Sequence, residues 1–387
     1  MKAVFASLGA YGHLYPMMPL ALACVAAGHD VVVATGEPFL GRLPLPTVPG
    51  VPADATLDGV VQETIRRHPG IEGRDLGVAL FADTTAEMVV PEMLETLDRL
   101  RPDLVVYEPL NVGAGIASDL LGIPAVAFAI GLSHEAVRTI HAAAIDYHRA
   151  LWTERGRTPP DGRVVLGAAL LDPIPLTLQS VDPHATERRI PIRPVGYSED
   201  LAALPSWLTT LRVRPRVYLT LGTVSFGAVE VLTRAIAEIA DLDVDVLVAI
   251  GPEGDAGLLE PLPTNVHVER FVNQSKVLST VDVVVHHGGT GTVLGALAAG
   301  LPQLILPQGA DQFHNARVLA DIGAGRALLN NEQTPGAIRA AVAELLTGGP
   351  VSAVSIRLGE EIAAMPAPAD VVRVLVKLTV GRGSAAK

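Results

Sequence analysis

One cysteine, Cys24, is all that the 387 residues contain, so neither an intrachain disulfide framework nor a cysteine-based zinc cluster can form. Such cysteine usage suits a reducing cytoplasm, which is the compartment expected. No apolar run reaches the about 20 residues that a bilayer-spanning helix needs. Long blocks of one charge are missing as well. The net charge of -12 is scattered along the chain, which disfavours attraction to a nucleic acid backbone or an anionic membrane surface. A phosphate-bearing ligand must therefore be held locally, by backbone amides and a few side-chain donors. Low-complexity segments are absent too. What is abundant is apolar: 49% of residues are hydrophobic and 18% charged, which excludes a disordered chain. At this length two domains of roughly 150 to 200 residues are expected, each with its own core.

The N-terminus superficially resembles a lipoprotein signal, with Lys2 followed by a mostly apolar stretch that ends at Cys24. Gly9, Gly12, His13 and Pro16 interrupt the would-be apolar core, and residues 31 to 34 continue as a strand, so strand, loop, helix and strand is the better reading. Residues 3 to 7 form the first strand and 16 to 27 a helix stopped by Gly28, which makes a βαβ unit. The same grammar recurs in a strand at 104 to 107, a helix at 112 to 121 ending at Gly122, and a strand at 125 to 129. A parallel α/β domain over residues 1–205 follows. Its stretches 36 to 100 and 131 to 195 lose periodicity, apart from helical pieces such as 87 to 100, and inserts of that kind shape substrate pockets. Residues 195 to 215 read as linker. The second domain, 213–365, restarts the pattern with strands at 217 to 221, 246 to 250, 266 to 269, 281 to 286 and 303 to 306 and a helix at 228 to 240. Both halves are therefore read as α/β, Rossmann-like, doubly wound parallel sheets. Residues 352 to 380 look helical with a break at Pro366 and Pro368, and the final helix, about 366–380, is free to pack back on the first domain.

The strongest local signal runs from Val283 to Thr292, where a buried-type strand passes into the turn His287, Gly288, Gly289, Thr290, Gly291, Thr292 and then a helix. Helix N-termini present unpaired amides and a positive dipole, and glycines let a phosphate come close. Thr290 and Thr292 add hydroxyl donors and His287 an imidazole donor. The plain alternative is a tight turn that needs glycine for backbone reasons. Glycines at 288, 289, 291 and 295 do not spell G-x-G-x-x-G, and no acid closes the next strand, which argues against a dinucleotide cofactor. Gly222 and Thr223, with Ser225 close by, end the first strand of the same domain. Ligands in such sheets sit at the carboxyl ends of strands, where both loops lie.

In the first domain the loop from Gly9 to Pro16 puts His13 at the N-terminus of the first helix. A neutral imidazole there suits a general base, and the helix dipole helps to keep it unprotonated. A capping or packing histidine is the alternative. Glu108, just past the strand at 104 to 107, is the candidate to orient it, or else an exposed loop acid. Asp311 and Gln312 bring a carboxylate and an amide together, the right chemistry for vicinal hydroxyls, although Asp311 would equally start a helix. Asp241, Asp243 and Asp245 spell D-x-D-x-D between a helix end and a strand. Without a companion ligand motif they read as a solvated turn, and no metal site is expected.

Together these segments resemble the family 1 glycosyltransferases of the GT-B fold, and among them the actinomycete enzymes that attach sugars to antibiotics and other natural products. The resemblance spans nearly the whole chain. Gly12, His13 and Pro16 resemble the family's catalytic-histidine loop, and Glu108 falls where the family usually has the aspartate that partners it. Phe271, Val272, Asn273 and Gln274 resemble the base-binding segment, His287 through Thr292 the pyrophosphate segment, and Asp311 with Gln312 the sugar-hydroxyl pair. What the resemblance implies is two Rossmann-like domains facing across a cleft and an inverting, metal-independent transfer with His13 as base. A nucleotide-sugar co-substrate takes the place of a cofactor, the acceptor is a small-molecule aglycone, and neither nucleic acid nor membrane is a partner, while a homodimer is compatible. Three departures stand out: Glu for Asp at 108, Phe271 and Asn273 where many members have Trp and Pro, and Gly295 where many have a Glu that accepts ribose hydroxyls. The last favours a dTDP-sugar, whose deoxyribose needs no such acceptor. A nucleotide-sugar 2-epimerase or hydrolase on the same fold would need acid and base carboxylates around the sugar. A non-catalytic nucleotide-sugar-binding or partner-activating protein would not need His13.

Overall fold

The computed structural model of the chain describes residues 1–162, 165–179, 188–198, 204–209, 212–222, 229–251 and 254–380. It divides into two compact units, one made of Met1–Pro173, Ser180–Arg193 and Pro366–Lys387, the other of Ile174–Gln179 and Pro194–Met365. Composition places the end of the first domain near 205, whereas the contacts change at Arg193/Pro194. There the Arg193 N–H donates to the Pro366 carbonyl at 2.7 Å, a pairing 173 residues apart that no local pattern announces.

The first unit is built on seven strands, β1 (Lys2–Ala6), β2 (Asp30–Thr35), β3 (Thr47–Pro49), β4 (Leu104–Tyr107), β5 (Ala125–Phe128), β6 (Leu170–Asp172) and β7 (Arg189–Pro191). All pair in parallel, in the order β3-β2-β1-β4-β5-β6-β7. Strands β4 and β5 are buried at every residue. That is why they read as unbroken apolar runs, since helices cover both faces of a parallel sheet. β1 has β2 on one side and β4 on the other, with Ala6 opposite Ala34 and Tyr107. The winding therefore reverses between β1 and β4, and their carboxyl ends form the crevice in which such sheets take ligands. The C-terminal helix Pro368–Val380 packs on the helix Met18–Ala26 of the same unit, burying Val371, Val372 and Leu375.

The second unit repeats the plan with β8 (Arg216–Thr220), β9 (Asp245–Ala249), β10 (Val266–Glu269), β11 (Val283–His286), β12 (Gln303–Ile305) and β13 (Arg326–Ala327). The parallel order is β10-β9-β8-β11-β12-β13, with Thr220 opposite His286. Here the winding reverses between β8 and β11, so Gly222 and His287 follow adjacent carboxyl ends. Among the described residues no single helix is long and apolar enough to cross a membrane.

Candidate active site

The loop after β1 is tighter than its sequence announces. A Cβ at Gly9 would lie 2.3 Å from the Glu37 carbonyl oxygen, so only glycine lets the two backbones approach there. The chain then makes the one-turn helix Tyr11–Leu14, a 3-10 turn at Tyr15–Met17 and the helix Met18–Ala26. Pro16 and Pro19 lack the N–H that one continuous helix would need. His13 accordingly sits in the last turn of a four-residue helix, not at the N-terminus of a long one, and the dipole argument for keeping it neutral does not apply.

A carboxylate orients the ring instead. His13 Nδ1 lies 3.0 Å from Glu108 Oε1, with the imidazole 21% exposed and the carboxylate fully buried. Glu108 Oε1 also accepts from the Leu8 N–H at 3.3 Å, and Oε2 accepts from the Leu110 N–H at 2.8 Å. Because β1 and β4 are neighbours in register, the loops that leave them supply both amides. An acceptor-only carboxylate held this way fixes the proton on Nδ1 and makes Nε2 the basic nitrogen of the neutral ring. The turn itself is clamped from behind by His141, which sequence reasoning misses. Its Nε2–H donates to the Pro109 carbonyl at 3.0 Å, and its Nδ1 accepts from the Leu166 N–H at 3.0 Å. Burial pushes the His141 imidazole down to about 4, so it stays neutral in that role. Phe81, from the π-helical segment Leu80–Thr85, lies beside the His13 ring with centroids 6.5 Å apart.

In the second unit β11 leads through His287, Gly288 and Gly289 into the helix Thr290–Ala298. His286 is buried, its Nε2 2.8 Å from Gln303 Oε1 and its Nδ1 accepting from the Gly288 N–H at 3.0 Å. Burial is the chief cause that holds it down at about 3, so it is a neutral ring that pins the turn. His287 is pushed below the ordinary imidazole value, again chiefly by burial, against the opposing pull of the Thr220 backbone and the Asp311 carboxylate. The glycines around it have distinct reasons. A Cβ at Gly222, whose φ is +87°, would meet the His287 ring at 2.7 Å, and one at Gly289 would meet its Nε2 at 2.4 Å. The two glycines thus leave room for the imidazole. Gly288 has φ +97°, and a Cβ there would press on Ile305 at 2.9 Å, whereas nothing lies within 4 Å at Gly291. Thr223 and Ser225 lie outside the described residues.

Phe271 is exposed at 37%, and Asn273 caps the short helix Gln274–Val277, with Val272 packed on the core below. Gln274 Oε1 accepts from the Thr292 hydroxyl at 3.3 Å. A Cβ at Gly295 would lie 3.1 Å from Leu278 Cδ1 and 3.4 Å from Gln274 Nε2, so the Gln274 amide stands beside the place where a glutamate would start. Asp311 occupies the N-cap position of the helix Gln312–Asp321 without capping it. Its Oδ2 instead lies 3.3 Å from the Thr290 hydroxyl and 3.1 Å from Asn315 Nδ2. Gln312 is buried, and its Oε1 accepts from the Gln308 and Gly309 N–H groups at 2.8 and 3.1 Å. Asn315 is the residue that sequence reasoning misses here, although its place four residues after Asp311 puts both on one helix face.

Asp243 pairs with Arg214 at 3.0 Å and Asp241 lies 3.7 Å from Arg339. These carboxylates address arginines separately, and among the described residues no group of three His, Cys, Asp or Glu side chains is placed to hold a metal ion.

Comparison with known proteins gives this geometry its family. The N-terminal domain of the erythromycin biosynthesis protein CIII-like family matches residues 22–222, and its C-terminal domain matches residues 233–378. The L-demethylnoviosyl transferase of Streptomyces niveus is 35% identical, with 96% of each chain covered. Among solved structures, the glycosyltransferase SsfS6 of Streptomyces sp. SF2575, complexed with thymidine diphosphate, is 26% identical with a TM-score of 0.78, over 97% of this chain and 99% of that one. The spinosyn rhamnosyltransferase SpnG, complexed with spinosyn aglycone, is 28% identical with a TM-score of 0.82, over 97% and 100%. Two parallel-sheet α/β units, a match along nearly the whole length and these relatives lead to one statement: the chain belongs to the erythromycin biosynthesis protein CIII-like family of antibiotic glycosyltransferases.

Proposed function

We propose that the enzyme moves a (deoxy)sugar from a dTDP-sugar to a hydroxyl of a natural-product aglycone with inversion, and that His13 is the general base. The observation that carries this reading is the buried Glu108 carboxylate, fixed by the Leu8 and Leu110 amides and 3.0 Å from His13 Nδ1. With the proton held on Nδ1, Nε2 takes the acceptor's proton as the acceptor oxygen bonds to C1 of the sugar. The bond from C1 to the diphosphate oxygen breaks on the opposite face, its electron pair leaves with dTDP, and a single displacement inverts the anomeric centre. Glu108 stabilises the imidazolium that forms. Charge on the departing diphosphate is met by the amides opening the helix Thr290–Ala298 and by Thr290 and His287, a fixed electrostatic arrangement that requires no metal. Asp311 and the Gln312 amide address the sugar hydroxyls, and Phe271 gives the base an apolar face.

The choice of thymidine rests on Gly295. A uridine nucleotide brings a 2'-hydroxyl that needs an acceptor, and leaving it unpaired costs about 1 to 3 kcal/mol. Position 295 supplies none. The test is competition of dTDP and UDP against one labelled donor, with the anomeric configuration of the product read by NMR. A preference for dTDP of roughly 5- to 100-fold is expected, and Gly295→Glu should narrow it once Gln274 and Leu278 give way. Equal inhibition by both nucleotides, or a product with retained configuration, would sink the corresponding half of the proposal.

A further inference from the structure

Asn315 is fully buried one turn along the helix that Asp311 introduces. Its Nδ2 lies 2.9 Å from the Gly288 carbonyl, 3.2 Å from Thr290 Oγ1 and 3.1 Å from Asp311 Oδ2. Two N–H groups thus serve three acceptors, two on the turn after β11 and one at the start of its own helix. Its own Oδ1 is buried without a hydrogen-bond partner. An unpaired buried carbonyl is a cost that leucine at the same position would not carry, so a purely packing role does not account for an amide here.

The Thr290 hydroxyl explains what the amide accomplishes. It has one hydrogen, and it lies 3.3 Å from Asp311 Oδ2. A diphosphate bound at the turn claims that hydrogen, and Asp311 Oδ2 then has acceptor capacity to offer a sugar hydroxyl. Asn315 keeps donating to both side chains, so neither moves when the hydroxyl turns. We propose that Asn315 is a positioning residue that couples diphosphate binding at Thr290 to sugar-hydroxyl binding at Asp311. A sugar nucleotide is thereby held more tightly than its two halves predict. This inference rests on the donor-site reading given above.

The experiment is a double-mutant cycle by titration calorimetry, with thymidine diphosphate and dTDP-glucose as probes. The variants are Thr290→Val, Asp311→Asn and the pair, each in the parent and in Asn315→Leu. Removing the Asp311 charge affects a diphosphate by itself, and measuring the same substitution in the Thr290→Val background subtracts that effect. For dTDP-glucose the two substitutions should be non-additive by about 3- to 10-fold in the parent, the scale of one buried hydrogen bond. In Asn315→Leu the non-additivity should shrink to about 2-fold or less, the usual limit for independent sites. Additive effects in the parent, or unchanged coupling in Asn315→Leu, overturn the proposal. Should Asn315→Leu fail to fold, the parent cycle and Asn315→Ser still decide it. A parent that binds no thymidine diphosphate overturns the donor reading and this inference with it, whereas normal binding with additive effects overturns the inference alone.

Discussion

Glu108→Gln is expected to lower turnover more than Glu108→Ala, and the hydrogen bonds of the buried carboxylate show why. An amide offers one oxygen and one NH2 group where the carboxylate offers two oxygens. If the oxygen takes the Leu110 N–H, a 2.8 Å bond is kept and only the 3.3 Å contact with the Leu8 N–H is lost. In the opposite orientation the NH2 group is driven against the Leu110 N–H. The first is favoured, and it points NH2 at His13 Nδ1. The imidazole must then accept on Nδ1 and carry its proton on Nε2, which leaves the base occupied. Turning the amide to recover the productive tautomer costs about 1 to 3 kcal/mol, or roughly 5- to 150-fold in rate. Losing the charge that steadies the imidazolium adds about another 1 kcal/mol, since charged hydrogen bonds outweigh neutral ones by that much. A fall in kcat of about 30- to 800-fold results, on the scale of the loss of at least about 100-fold expected for His13→Ala.

Alanine at 108 imposes no tautomer and leaves water to serve the backbone amides, so a loss of about 10- to 100-fold is expected. Sequence alone makes Glu108 an orienting group; the two backbone donors are what decide which way a glutamine there would face. The assay is nucleotide release at saturating donor, with 15N chemical shifts of the His13 ring to identify the protonated nitrogen and thermal melts to confirm folding. A Glu108→Gln enzyme as active as Glu108→Ala would refute the reasoning, as would an unprotonated Nε2 in that variant at pH 8.

His287→Ala should weaken thymidine diphosphate binding about 5- to 50-fold, since it removes a donor and empties the space between Gly222 and Gly289; calorimetry showing an unchanged Kd would remove His287 from the donor site. Turnover should survive exhaustive chelation, and loss with EDTA followed by recovery with Mg²⁺ or Mn²⁺ would reopen the case of Asp241, Asp243 and Asp245. Stability should fall with acid well before the carboxylates titrate. His286 and His141 are held neutral, at about 3 and about 4, against 6.5 in the unfolded chain. Below pH 6.5 the unfolded chain therefore binds protons that the folded one refuses, at up to about 2.7 kcal/mol per pH unit for the two together. Above about pH 8 they contribute almost no slope, and melts that stay level from pH 7 to 5 would contradict the burial argument.

What was legible in the sequence was what local chain chemistry determines. An apolar run, a glycine loop and a helix start form one contiguous signal, so β1 with the loop of His13 and β11 with the turn of His287 are readable together. Strands of three residues such as β3, β6 and β7 carry too little periodicity to be seen. The sequence reads as one helix over 16 to 27, whereas Pro16 and Pro19 break the chain into separate turns before Met18 and leave His13 in the first of them. Groups that act from a distance were harder still. His141 reaches the Glu108 turn from 32 residues away, and only the fold brings it there. Asn315 differs, because its spacing from Asp311 was in plain view. A buried amide has no motif of its own, so nothing but that spacing marks it.

The glycines of the candidate donor turn show how one motif can meet several requirements at once. From sequence they admit a phosphate. In the fold Gly222 and Gly289 face each other across the His287 ring, and a Cβ at either would strike it. Gly288 is required by its positive φ and by Ile305. Gly291 alone has open space where a side chain would go, so within the protein it is the one glycine of the turn that sterics do not demand. The motif therefore combines two requirements that sequence cannot separate. Two of its glycines, together with Gly222 from the neighbouring loop, make room for an imidazole and a turn, and Gly291 is the one left open to ligand approach.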